Sequence, residues 1–98
     1  MADSIKRELG RIMVEEVQDP RLSHLTITGV RMNKDLSIAH VLYTHLYGPS
    51  PEVEQALVKA KGFLRSTLGH NLKMRYVPQL RFEWDSYLED MVYDPGPE

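Results

Sequence analysis

The chain has 98 residues, 42% of them hydrophobic, which suits one small domain with a real core and leaves no room for two. It has no cysteine, which excludes a disulfide framework and thiolate zinc sites and fits a reducing compartment. The net charge of −2 is near neutral, no run approaches the roughly 18 apolar residues of a membrane span, and MADSIKREL lacks the apolar stretch of a signal peptide, so a soluble intracellular protein is expected.

The first predicted element is a helix. Ile5, Leu9, Ile12, Met13 and Val17 recur at helical spacing and make one apolar stripe. Asp3 or Ser4 is suited to cap its start, and the helix must stop before Asp19-Pro20, because proline pushes the preceding residue out of the helical region. LTITGVRM (25–32) and SIAHVLYTHL (37–46) follow as two strands, joined through the turn-forming NKD (33–35) into an antiparallel hairpin. Alternation puts Ala39, Val41 and Tyr43 on one face of the second strand and Ile38, His40, Leu42 and Thr44 on the other, without deciding which face meets the helices.

After the loop YGPSP (47–51), Ser50-Pro51 marks a helix start, with a serine cap, proline at the first helical position and Glu52 and Glu54 in the first turn. Val53, Ala56, Leu57, Ala60, Leu64 and Leu68 carry the apolar periodicity, and Gly69 is placed to close the helix in a left-handed conformation. Gly62 interrupts this run. Two readings are open: a kink at Ala60-Lys61-Gly62 that splits the segment into helices over 51–60 and 62–68, or a packing glycine where helix meets sheet. NLKMRYVPQ (71–79) reads as an extended connector, LRFEWD (80–85) as the third strand, and Leu88, Met91 and Val92 as a last helical turn. The resulting order is α-β-β-α-α-β. A helical crossover returns parallel, which predicts an α+β fold with a three-stranded mixed sheet of order 1-2-3 and helices on one face.

Charge is unevenly distributed along this order. Between Lys59 and Arg81 lie six basic residues and no acid; between Glu83 and Glu98 lie six acids and no base. A basic patch of this kind is the footprint of a nucleic-acid partner, while a solvated surface that happens to be basic is the bland alternative. A kink at Gly62 would free backbone amides to approach an anion, with Lys59, Lys61 and Arg65 around that point, much as the loop between the helices of a KH domain clamps a strand.

Other chemistry finds little support. Histidines 24, 40, 45 and 70 lack helical metal-ligand spacing, so no metal is expected. Asp19 reads as a cap for its corner, with Arg21 pairing locally or reaching phosphate. Ser66 has no base partner, and no phosphate-binding or dinucleotide fingerprint occurs. Tyr47 and Tyr76 could stack on bases, although core or rim packing is the favoured reading.

Four blocks in order resemble the ribosome-binding factor A family: DPRL (19–22), VRMNKDLSIAHVLYT (30–44), AKGFLRSTLG (60–69) and MRYVPQLRFEWD (74–85). The resemblance spans about residues 4–92. It implies a type II KH-like domain over residues 1–93 with a helix-kink-helix at Ala60-Lys61-Gly62, while the composition of the closing DPGPE (94–98) predicts a disordered tail. It also implies a non-enzymatic, cofactor-free cytoplasmic factor that binds the immature 30S subunit and 16S ribosomal RNA. Such a factor supports maturation of the RNA 5′ end and the decoding region, acts in cold adaptation, and leaves mature subunits with an assembly GTPase in some bacteria; the sequence does not fix oligomeric state, and a monomer is the simpler expectation. The family's RNA-facing surface carries over onto Lys59, Ala60, Lys61, Gly62 and Arg65; charge adds Arg21, Lys34, Lys73, Arg75 and Arg81. The alternative from a different class is a protein-interaction module that uses an open sheet edge or apolar face.

Overall fold

In the computed structural model, which describes residues 1–86, the expected α+β architecture is found. Helix α1 (Ala2–Glu15) leads through a short 3-10 turn (Pro20–Leu22) to strand β1 (Leu25–Met32), strand β2 (Ile38–His45), helix α2 (Pro51–Asn71) and strand β3 (Gln79–Trp84). The sheet order is β1-β2-β3, antiparallel between the first pair and parallel between the second. The last helical turn expected around Leu88, Met91 and Val92 and the tail over 94–98 lie outside the described residues.

The core explains which face is which. Ala39, Val41 and Tyr43 are buried, and their partners Leu80, Phe82 and Trp84 on β3 share that face. Ile5, Leu9, Ile12 and Met13 from α1 and Val53, Ala56, Leu57, Leu64 and Leu68 from α2 close over it. The opposite parity, with His40, Arg81 and Thr44, forms the open face. Strand β1 meets this plan only through a bulge. Strict alternation would put Leu25 and Ile27 on the same face as Arg31. Between Ile27 and Gly29 the register slips by one residue, so that Val30 and Met32 turn toward the core and Arg31 faces out opposite His40. The extra residue, Thr28, donates its hydroxyl proton to Asp85 Oδ2 at 2.5 Å.

Three local expectations are corrected. Residues 51–71 form one unbroken helix, not two: Gly62 lies within it, its φ is not positive, and the amides that a break would free stay inside the helical segment. A single interior glycine costs about 1 kcal/mol, while the stripe from Val53 to Leu68 is buried along one continuous side, so tertiary packing outweighs the local cost. Gly62 is not a packing glycine either, since a Cβ there would meet nothing within 4 Å. Gly69 does not end the helix in a left-handed conformation; it is buried and helical. The left-handed position falls on Lys73, at φ 53°. There Lys73 N–H donates to His70 C=O at 3.2 Å and Met74 N–H to Gly69 C=O at 2.9 Å, the paired bonds of a Schellman closure. Finally, α1 begins at Ala2, ahead of Asp3 and Ser4, and no side chain caps it. Ser50 does cap α2, accepting from Val53 N–H at 3.2 Å.

Among the described residues no helix is long and apolar enough to cross a membrane.

Candidate nucleic-acid interface

Nine of the ten expected contact residues fall in three separate places, and the tenth, Gly62, lies exposed within the unbroken α2. Residues 59 and 61 are about 200° apart around a helix, so Lys59 and Lys61 leave α2 on different flanks and do not rim one point.

The first place is the corner after α1. Asp19 Oδ1 accepts the Arg21 backbone N–H at 2.9 Å, and the Arg21 guanidinium closes on the same carboxylate, with Nη2 2.7 Å from Oδ2. The Asp19 carboxyl is held down at about 2 by Arg21's side chain first and its backbone amide second; Lys59 adds a smaller attraction. Arg21 is thus committed to folding its own corner. Lys59 is exposed beside it, along a shallow groove that includes Val17, Ala60 and Phe63. Because the folded carboxyl titrates below its ordinary 3.8, its contribution to stability is complete above that value and is lost as pH falls toward about 2. Asp19→Asn is therefore expected to flatten the acid side of the stability profile between about pH 4 and 2, read as urea midpoint against pH.

The second place is the flank of α2 that looks toward β3. Lys61 lies on the rim of a cleft lined by Tyr43, Leu57, Phe82 and Trp84, with Glu54 on the same rim. Arg65 turns inward, donating from Nη2 to the Val77 carbonyl at 2.8 Å and from Nε to the Pro78 carbonyl at 3.0 Å. It ties the connector after α2 back to the helix, a structural task that its charge did not reveal.

The third place is the hairpin end of the sheet. Gln79 N–H donates to Ser37 C=O at 2.8 Å, so β3 starts beside the turn that joins β1 to β2. That turn is held by Asn33 Oδ1, which accepts Ile38 N–H, and by Asp35 Oδ1, which accepts Ser37 N–H and Oγ–H. It carries Lys34, while the connector leading into β3 carries Lys73 and Arg75. Arg81 then faces out from β3 in one row with His40 and Arg31. Arg31 is not among the residues expected from sequence, and only the bulge puts it here. Arg31, Lys34, Lys73, Arg75 and Arg81 are all exposed. Among the described residues none of these five has a carboxylate within ion-pair distance, whereas Arg11 on α1 is neutralised by Glu8, Glu15 and Glu16. On the open face His40 Nδ1 lies 2.5 Å from Glu83 Oε2.

This end also bears an exposed aromatic. Tyr76 is 81% exposed, against the core or rim packing favoured from sequence, and the Arg75 guanidinium carbon sits 5.6 Å from its ring centroid. Tyr47 is likewise exposed, at the far end of the sheet, where it meets His24 and His45 edge-on and tilted. Among the described residues no three histidine, aspartate or glutamate side chains converge as a metal site would require.

Comparison with known proteins agrees with this architecture. A family model described as Ribosome-binding factor A matches residues 1–93. The ribosome-binding factor A of Syntrophus aciditrophicus is 43% identical over 88 residues, covering 88% of this chain and 72% of that protein. That of Dictyoglomus thermophilum is 46% identical over 89 residues, covering 87% and 73%. A homology model of Thermus thermophilus ribosome-binding factor A, fitted into the cryo-EM map of a complex with 30S, is similar with a TM-score of 0.73 at 30% identity, over 86% of this chain and 90% of that one. A crystal structure of ribosome-binding factor A from Thermus thermophilus gives 0.66 at 32% identity, over 85% and 94%.

Proposed function

The chain belongs to the ribosome-binding factor A family, and on that premise we propose that it is a cytoplasmic assembly factor that binds the immature 30S subunit by contacting 16S ribosomal RNA. The single observation that supports this most is its similarity, over most of both chains, to a homology model of a relative fitted into the cryo-EM map of a 30S complex. The surface chemistry is consistent with it. A group of cations at one end of the sheet, without carboxylate partners among the described residues, suits a phosphate backbone, which binds by releasing counterions rather than by burying apolar area. In this reading the protein acts without catalysis or a cofactor, as a monomer. It supports maturation of the RNA 5′ end and the decoding region, including at low temperature, and an assembly GTPase assists its release.

The test is sedimentation of cell extract followed by crosslinking. The protein is expected to run with free 30S particles and not with 70S, and to crosslink to 16S RNA. A protein that runs clear of ribosomal particles, or that crosslinks only to ribosomal proteins, would sink the RNA-contact reading and favour the interaction-module alternative. Salt separates the same two cases: an RNA contact weakens steeply as salt rises, an apolar protein contact far less.

A further inference from the structure

The connector between α2 and β3 is held at both ends and bare in the middle. On its near side, the Schellman closure fixes Leu72 to Met74, with Met74 N–H bonded to Gly69 C=O. Leu72 and Met74 pack against the core. On its far side, Arg65 grips the Val77 and Pro78 carbonyls, and Val77 lies against Gly69. Between these anchors Arg75 and Tyr76 project into solvent. Holding a segment this firmly while leaving its one large aromatic 81% exposed gains nothing for the core. Lys73 on one side and Arg81 on the other are cations with no acid partner among the described residues.

From this arrangement we infer that Arg75 and Tyr76 form a stacking platform for an unpaired nucleobase, with Lys73 and Arg81 placed to meet the flanking phosphates. This rests on the RNA-binding reading above and narrows it to single-stranded RNA. A phenol ring offers a π-face that any base can cover, and a guanidinium beside it adds a cation–π contribution. The anchored backbone means that little chain order has to be gained on binding. A base locked in a duplex cannot cover the ring, so the platform discriminates by strandedness rather than by sequence.

The experiment compares two fluorescein-labelled probes by anisotropy, a single-stranded decaribonucleotide of mixed sequence and a duplex of the same length, with 30S cosedimentation measured in parallel. The wild-type chain is expected to prefer the single strand. Tyr76→Ala should weaken single-strand binding by about tenfold or more while leaving duplex binding unchanged, and Tyr76→Phe should restore it to within about twofold. Because the ring is exposed, the urea midpoint of each variant should match the wild type. If Tyr76→Ala binds the single strand as the wild type does, the platform is overturned while RNA binding itself stands. If Tyr76→Ala loses 30S binding with no change on the single strand, Tyr76 faces a ribosomal protein and the platform is again overturned. If the wild type binds neither probe and does not crosslink to 16S RNA, both readings fall together.

Discussion

Gly69→Ala is expected to destabilise the fold by about 1–3 kcal/mol, the range for an extra methyl forced into a packed site. The same change at Gly62 is expected to stabilise it by about 0.5–1 kcal/mol. Both glycines sit inside α2, and both would gain the alanine advantage in helix propensity. They differ in what lies above them. A Cβ on Gly62 meets nothing within 4 Å, whereas one on Gly69 would fall well inside contact distance of the Val77 Cγ2 methyl, with Val77 Cβ and Cγ1 at 3.7 and 3.8 Å. Val77 cannot simply withdraw, because its carbonyl is held by Arg65 and the buried Pro78 follows it. The overlap is with one methyl group, so a double-mutant cycle isolates it. In a Val77→Ala background, Gly69→Ala should change sign and become mildly stabilising. Urea midpoints of the four proteins decide the matter. If Gly69→Ala is neutral with Val77 intact, the valine is rotating out of the way and the contact does not constrain the site.

These two glycines also mark where reading the sequence succeeds and where it stops. The strand at 25–32, the capped start at Ser50-Pro51 and the 1-2-3 sheet order are legible because each follows from a local pattern or a short-range rule: β-branched runs, a cap followed by proline, a helical crossover. Gly62 draws attention because it breaks a local pattern, yet the helix runs through it, since what holds α2 together is its buried side and not its propensity. Gly69 resembles an ordinary helix terminator. Its actual constraint comes from Val77, which only the return of the connector brings near. Arg65 reads as a phosphate contact because composition gives charge without direction; in the folded chain that charge is directed at two backbone carbonyls. Arg31 escapes notice for the converse reason: simple alternation places it on the core-facing side of β1, and one bulged residue turns it outward. A strand whose apolar residues switch parity midway, as Ile27 and Val30 do, is the signal that could have found it.

The regrouping of the cations leads to a sharp expectation about binding. Lys73→Glu, Arg75→Glu and Arg81→Glu combined should weaken association with single-stranded RNA and with 30S particles by about a hundredfold or more. Lys59→Glu alone should have a much smaller effect. The three residues share the hairpin end of the sheet with Arg31 and Lys34, all exposed and without carboxylate partners among the described residues. Lys59 stands at another corner, beside the Asp19–Arg21 pair and away from this group. Each phosphate neutralised on a single strand contributes about 0.7 to the slope of log affinity against log salt, so three contacts predict a slope of about 2 from these residues. The combined variant should lose that share of the slope, and that loss separates a removed phosphate contact from a general fall in affinity. Stability should change little, because among the described residues none of the three side chains donates a hydrogen bond that shapes the fold and all of them are exposed. A combined variant that keeps its salt slope and its 30S binding would place the RNA contact elsewhere, and the Lys61 flank of α2 would be the next surface to reverse.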